Sequence, residues 1–194
     1  MIACDIVLLP PSEIMRKAMD INRKLIEEGN SDIVLGEEKC IPHITLGMGC
    51  IKKRDMSNVS RILEDIAESF VPMGLTTVSA KSAEATWKIE KIRDIEVLHE
   101  IVMIRLAPFF SYTVEPAMFS RDTGEFINDL TLHYIKKFPI KSSFENYQPH
   151  ITLGAGEMTL EVPSLEFVTD VFALCHLGNF CTCREVFSAY RFKR

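Results

Sequence analysis

The sequence lacks any apolar run of the roughly 18–20 residues that a membrane-spanning helix needs, so we predict no membrane partner. Its first residues, MIACDIVLLPPSE, have neither a basic segment nor a small-residue cleavage site, which favours a first strand over a signal peptide. An excess of basic residues is also missing, because 22 Lys and Arg stand against 27 Asp and Glu. Phosphate contacts supply most of the affinity for long nucleic acid, so this balance argues against such a partner. We expect a small partner.

A C-x-x-C pair is absent among the six cysteines. Without a secretory signal, free thiols and a cytoplasmic protein are the expectation. One alternative concerns the final hairpin: a turn at Gly178-Asn179 pairs position 176 with 181 and 174 with 183. That register puts His176, Cys181 and Cys183 on one face, where they could bind a metal. A fourth ligand is missing, so we favour no metal and consider His176 a candidate substrate contact.

Flexible linkers are lacking too, so we predict one bilobal domain over residues 1–194. Apolar spacing predicts helices over 12–29 (with Ser12 as the N-cap), 57–70, 94–106 and 126–137. Period-two patterns predict strands at 2–9, at each copy of a repeated hexapeptide, and over 74–80, 84–90, 171–177 and 180–190. The fold class is therefore α+β, with two related halves.

The repeated hexapeptide is PHITLG, at residues 42–47 and again at 149–154. Because alternate side chains of a strand share a face, His43 and Thr45 point one way and their apolar neighbours the other. The same alternation holds for His150 and Thr152. Pro at each start suits a strand end, and Gly at each end allows a bend or a close approach to a ligand.

Two related halves can bring these polar faces together in one cleft. One imidazole can then accept a proton while the other donates one, because histidine titrates near neutral pH. This arrangement suits in-line displacement at phosphorus, with the hydroxyls holding the non-bridging oxygens. A duplicated module that binds a nucleotide without turning it over is the alternative.

Two H-x-T motifs on separate strands resemble the 2H phosphoesterase superfamily, and most closely its RNA 2′,3′-cyclic phosphodiesterase, or 2′-5′ RNA ligase-like, members. The resemblance implies a bilobal fold of two pseudo-symmetric halves, each with an antiparallel sheet and helices, and a cleft between them. It implies an RNA terminus or nucleotide as substrate, hydrolysis to a 2′-phosphate, and no metal or cofactor. We expect a monomer, although the sequence does not assign an oligomeric state. By the same analogy His150 is the base and His43 the acid; the sequence leaves this split open, as it does activity on 2′-5′-linked oligonucleotides.

Other site residues are predicted more broadly. Tyr147, three residues before His150, is a candidate to stack on a base, with packing in the core as the alternative. Arg121 and Arg184 are candidates to offset phosphate charge, with a solvated surface role as the alternative. His99 and His133, on predicted helices, are interpreted as structural or solvated.

Overall fold

The computed structural model describes residues 1–81, 84–156, 158 and 160–193. These residues contain four α-helices: α1 Ser12–Glu27, α2 Met56–Glu68, α3 Arg93–Leu106 and α4 Asp129–Lys141. The strands are β1 Ile2–Leu9, β2 Ile44–Ile51, β3 Met73–Thr76, β4 Ala80–Lys81, β5 Thr86–Lys88, β6 His150–Thr152, β7 Glu161–Val162, β8 Glu166–Thr169, β9 Val171–Leu177 and β10 Cys183–Arg191. The predicted α+β class is confirmed. No helix in these ranges is long and apolar enough to cross a membrane.

The main sheet has six strands in the order β10-β9-β1-β2-β6-β5, and each neighbouring pair is antiparallel. β2 and β6 pair through Ile44 and Ile151. This pair joins the four-stranded part of the sheet to the β6-β5 ribbon. The remaining strands form two small ladders, β3 with β8 and β4 with β7.

The first face of the main sheet packs against α1, α2 and α3. Each helix contributes an apolar stripe at helical spacing, such as Val59, Leu63 and Ile66 of α2, and these side chains are buried in one core cluster with Ile6 and Ile44 of the sheet. The second face is covered by α4 and the segment before it, whose Ile135 and Phe138 pack in a smaller cluster. The second face also carries the alternate residues of the repeats.

A β-bulge lies inside the first repeat. The register between β1 and β2 shifts between Val7 opposite Thr45 and Ile6 opposite Gly47, which leaves Leu46 as the extra residue. Ile44 and Leu46 therefore pack in the first-face core, whereas Met48 packs in the second-face cluster. Because of the bulge, β2 places Thr45 of the first repeat and then the buried Met48 on the same face of the sheet.

Several boundaries differ from the sequence predictions. Helix α1 begins at Ser12 itself, with Pro11 as N-cap and no side-chain capping bond. Helix α4 starts at 129 rather than 126, because the Asn128 side chain accepts a hydrogen bond from the Leu130 amide, and it continues through Pro139 to 141. Strands β7 and β8 were missed because each is short and lies in a segment without clear alternation.

The final hairpin exists, but its predicted register was wrong. Residues 179–181 form a 3₁₀ turn, so β10 begins at Cys183, which pairs with Leu177, while His176 pairs with Glu185. Because residues 176 and 177 point to opposite faces, His176 and Cys183 do not share a face. The structure therefore contradicts the three-residue metal interpretation. The described residues hold no group of three or more His, Cys, Asp or Glu side chains that could bind a metal, and the six cysteines are free.

Gly47, the last residue of the first repeat, packs closely against helix α3. A Cβ added there would lie 3.0 Å from both Val102 Cγ1 and Met103 Sδ. We expect Gly47→Ala to lower the free energy of unfolding by about 1–3 kcal/mol, because overpacking forces side chains to shift. Urea unfolding measures this. Gly74→Ala is the control, since a Cβ at Gly74 meets nothing within 4 Å; an equal loss in both variants would contradict the packing role.

Candidate active site

Both copies of the repeat line one cleft on the second face of the main sheet. The cleft has a volume of about 720 Å³, within the range of small-molecule sites. Among its described lining residues are His43, Thr45, His150 and Thr152. The polar side chains of the two repeats therefore lie in one cleft, as the alternation along the strands predicts. The walls come from the β5 side of the sheet, from α4 and from the 3₁₀ turn at 179–181.

A local two-fold relationship arranges the four side chains. β2 and β6 run antiparallel with Ile44 opposite Ile151, so the register places His43 beside Thr152 and Thr45 beside His150. Each histidine is anchored in the same way. Nδ1 of His43 lies 2.7 Å from the Ile41 carbonyl oxygen, and Nδ1 of His150 lies 2.8 Å from the Gln148 carbonyl oxygen. In both copies the backbone two residues upstream accepts a hydrogen bond from Nδ1.

The first copy also contacts a buried carboxylate. Asp5 of β1 is fully buried; its Oδ2 accepts a hydrogen bond of 2.7 Å from the Thr45 hydroxyl and lies 3.4 Å from His43 Nε2. Burial lowers the pKa of His43, but the negative charge of the adjacent Asp5 and the hydrogen bond to the Ile41 carbonyl oxygen outweigh this effect, so the pKa lies above its usual value. Burial raises the pKa of Asp5, and the contacts with His43 and Thr45 partly offset this.

Among the described residues, no buried carboxylate contacts the second copy. His150 is half-buried, and neither its Nε2 nor the Thr152 hydroxyl has a hydrogen-bond partner within the part of the chain that the structure describes. Burial lowers the pKa of His150, and the charge of His43 adds to this shift. The hydrogen bond to Gln148 and the charges of Glu84 and Asp5 oppose it without reversing it. The environments of the two histidines therefore push their pKa values apart, as expected for an acid and a base that work as a pair.

A buried pair of rings supports the first repeat from behind. His99 of α3 donates from Nδ1 to the Leu46 carbonyl oxygen at 2.6 Å, and its Nε2 accepts from the Phe144 amide at 2.7 Å. This donor-and-acceptor pattern is that of a neutral imidazole, and burial lowers its pKa. The Tyr147 ring stacks on His99 at a centroid distance of 3.9 Å, and its hydroxyl donates to the Thr45 carbonyl oxygen at 3.0 Å. Both side chains hold the bulge in place.

Four other predicted site residues are not brought to this cleft. Tyr147 is 3 % exposed and packs in the core, so it cannot stack on a base. His176 lies on the hairpin, with Nε2 3.0 Å from the Met118 carbonyl oxygen and its ring against Phe187. Arg184 binds Glu125 and Asp122 in a neighbouring groove. Arg121 is exposed and does not line the cleft.

Sequence reasoning missed three contributions to the site. Asp5 carried a usable signal, because an acidic residue inside the apolar run IACDIVLL is costly to bury without a partner. Lys88 of β5, opposite His150, is the one Lys or Arg among the described lining residues, and no local pattern marks it. Leu130 and Tyr134 of α4 and Phe180 of the 3₁₀ turn form an apolar wall of the cleft, which depends on how α4 docks.

Similarity to known proteins is found at the level of structure. No protein-family model and no curated sequence matches the chain. The protein TT0787 of Thermus thermophilus superposes with a TM-score of 0.64 at 13% identity, covering 98% of each chain. E. coli LigT, a 2′-5′ RNA ligase solved with 3′-AMP, gives 0.61 at 12% identity, covering 98% of this chain and 97% of LigT. The chain has the 2H phosphoesterase fold.

A third 2H-like structure supports the same assignment. A protein described as a phosphoesterase superposes with a TM-score of 0.51 at 12% identity, covering 98% of both chains. The bilobal fold implied by the resemblance of the twin motifs is therefore confirmed over nearly the whole chain. At these identities the 2H similarity fixes the fold, and the chemistry has to be argued from the cleft of this chain.

Proposed function

We propose that this chain is a metal-independent phosphodiesterase that hydrolyses a small or terminal phosphodiester, namely a 2′,3′-cyclic phosphate, to a 2′-phosphate. The observation that carries the proposal is the convergence of His43, Thr45, His150 and Thr152 in one cleft about the Ile44–Ile151 pair. A phosphoesterase-type 2H fold supports the reaction class. The choice of a cyclic phosphate and its product rests on the resemblance of the motifs.

The geometry supplies the parts that in-line displacement at phosphorus requires. A phosphorus atom bound in the cleft between the two motifs would have one imidazole on each side. His150 accepts a proton from water while the new P–O bond forms, and His43 gives its proton to the leaving oxygen as the old P–O bond breaks. The Thr152 hydroxyl, which has no hydrogen-bond partner among the described residues, donates to a non-bridging oxygen. Lys88 pairs with His150 across β5 and β6 and lines the cleft, and we assign to it the offsetting of phosphate charge.

The size and lining of the cleft favour a nucleotide as substrate. Structures of LigT contain 3′-AMP, ATP and NADP⁺. In this chain the cleft of about 720 Å³ would hold a ligand of that class. Leu130 is 72 % exposed and Tyr134 39 % exposed, so α4 presents uncovered apolar surface beside the motifs. We place the nucleobase on this wall, because aromatic and apolar faces stack on bases with little sequence preference.

The deciding experiment is turnover of 2′,3′-cyclic nucleotides, and of a short RNA ending in a 2′,3′-cyclic phosphate, with EDTA present. Conversion to the 2′-phosphate is the expected result. A panel containing linear 2′-5′-linked oligonucleotides runs beside it, and preference for those would transfer the proposal to a 2′-5′ phosphodiesterase or ligase. Tight nucleotide binding without turnover across the whole panel would mean a binding module on the same fold.

The apolar wall leads to a prediction about substrate affinity. We expect Tyr134→Ala to raise KM for a cyclic nucleotide by about 5- to 150-fold, because stacking is worth about 1–3 kcal/mol per base, and to change kcat little. Steady-state kinetics measures both constants. Phe126→Ala is the control, since Phe126 is an 88 % exposed aromatic that does not line the cleft. An unchanged KM in Tyr134→Ala would place the base elsewhere.

A further inference from the structure

The two repeats are equal in sequence but unequal in surroundings, and the difference is Asp5. β1 lies on the far side of β2 from β6, so its carboxylate reaches the first copy at His43 and Thr45. The second copy is flanked by β5, which places Lys88 opposite His150 and Thr86 opposite Thr152. One motif therefore contacts a buried anion, whereas the other pairs with a strand that carries Lys88, and Glu84 and Lys88 both line the cleft on that side.

The contacts of His43 favour its protonated form. Nδ1 faces the Ile41 carbonyl oxygen at 2.7 Å, and Nε2 faces Asp5 Oδ2 at 3.4 Å. Both partners are acceptors, and Oδ2 is already occupied by the Thr45 hydroxyl as a donor. Two ring nitrogens that both face acceptors favour the imidazolium form, which carries a proton on each. His99, with one acceptor and one donor as partners, shows the neutral arrangement in the same molecule.

The buried carboxylate needs this cation. Asp5 is fully buried, and its Oδ1 has no hydrogen-bond partner among the described residues. A buried carboxylate with one hydroxyl donor is costly unless a positive charge lies beside it. The separation of 3.4 Å from Nε2 exceeds an ordinary N–H···O bond of about 2.7–3.2 Å. The pair thus stabilises charge on His43 while leaving the Nε2 proton free to move to a substrate oxygen.

Several other titratable groups lie near the His43 imidazole besides Asp5, the carboxylate that contacts it. Burial raises the pKa of the Cys181 thiol far above neutrality and raises the pKa of Tyr134, so both side chains are uncharged. The remaining titratable groups that face the imidazole or share its cleft are Cys40 in the preceding loop, His150 on β6, and Glu84 and Lys88 on the β5 side. Of the carboxylates in this set and on β1, Asp5 is the one in contact with His43.

We infer that Asp5 is a positioning residue that breaks the symmetry of the two motifs, holding His43 as the general acid and thereby leaving His150 as the general base. The inference rests on the proposed function for the words acid and base, whereas the asymmetry itself belongs to the free protein. In the forward reaction the proton on His43 Nε2 goes to the leaving oxygen and the proton of the attacking water goes to His150 Nε2. Proton exchange with solvent then restores the starting state.

Imidazole ¹⁵N NMR of the substrate-free protein tests the asymmetry without any substrate. In the wild-type protein near neutral pH, we expect the cationic pattern for His43 and the neutral Nδ1–H pattern for His150. Asp5→Asn keeps the size and an acceptor for Thr45 but removes the charge. It should lower the titration midpoint of His43 by about one pH unit or more. Asp122→Asn, where the carboxylate contacts Lys39 and Arg184, is the matched control and should leave His43 unchanged.

Kinetics separates positioning from a merely structural role. For the wild-type enzyme kcat/KM should rise with pH as His150 loses its proton and fall as His43 loses its own. In Asp5→Asn the falling limb should move to lower pH, whereas simple structural damage would lower the curve without moving that limb. A neutral His43 in the wild-type protein would overturn the inference, even if Asp5→Asn does not fold. A cationic His43 with no turnover of any phosphodiester would sink the proposed function and leave the asymmetry standing.

Discussion

Replacing either motif histidine with alanine is expected to lower kcat for a 2′,3′-cyclic nucleotide by about 10²–10⁴-fold, the usual contribution of one general acid or base. His43 and His150 are both held through Nδ1 by a carbonyl two residues upstream, so each presents Nε2 as its reactive nitrogen. Each substitution removes one proton-transfer step and leaves the other in place. Single-turnover measurements on the two variants check the loss, and near-normal turnover in either one would contradict the catalytic assignment.

A substrate with a good leaving group separates the two roles. 4-Nitrophenolate departs without needing a proton, so a 4-nitrophenyl phosphodiester of a deoxynucleoside does not require the general acid. We expect His43→Ala to recover most of its activity on this substrate and His150→Ala to stay impaired, because activation of water is still needed. His133→Ala is a suitable control, since His133 lies on α4 and does not line the cleft. Recovery in His150→Ala instead would reverse the assignment of acid and base.

Truncation of Trp87 is expected to cause the largest loss of stability, about 3–5 kcal/mol in the free energy of unfolding. Trp87 is the largest fully buried side chain, and it lies opposite Ile151 in the β5–β6 pair. Its Nε1 donates to the Pro163 carbonyl oxygen at 2.9 Å. Because β5 flanks the strand that carries His150, the cavity left by Trp87→Ala should also impair activity. Denaturant unfolding, with turnover measured under native conditions, checks both effects.

The variant Trp87→Phe separates the loss of stability caused by a cavity from the loss caused by the missing hydrogen bond. Phenylalanine keeps most of the apolar volume but cannot donate, and the Pro163 carbonyl oxygen still accepts from Thr77 Oγ1 at 3.1 Å. We expect a loss of about 1–2 kcal/mol, since one hydrogen bond contributes about that much. A loss in Trp87→Phe as large as in Trp87→Ala would show that packing of the indole is not what stabilises β5.

The repeats made the centre of the site predictable. Alternation along a strand fixes which side chains share a face, and two identical hexapeptides placed His43 and His150 on corresponding faces of two strands. The helices α1, α2 and α3 were predicted near their observed ends because each carries apolar residues at helical spacing on one buried face. Such a pattern predicts a helix or strand correctly when that element buries only one face against the core.

The parts that failed depend on contacts between distant segments. The predicted hairpin register follows from a two-residue turn, but the structure inserts a 3₁₀ turn at residues 179–181, where the Asn179 side chain accepts hydrogen bonds from the Asn128 amide and the Thr131 hydroxyl. No local rule reveals that anchor. The sequence suggests Tyr147 as a base-stacking residue, but its hydroxyl reaches the Thr45 carbonyl and its ring covers His99. Proximity in sequence to His150 gives no information about either contact.

His43 and His150 are 107 residues apart in the chain, yet β2 and β6 pair through Ile44 and Ile151. Closing so long a loop costs chain entropy that has to be offset by contacts formed elsewhere first, and contacts of high sequence separation slow folding. The cleft is therefore expected among the last parts of the molecule to assemble. It is also expected to be among the first parts to come apart on partial unfolding, because opening this one pair separates His150 from His43 while most of the core stays packed.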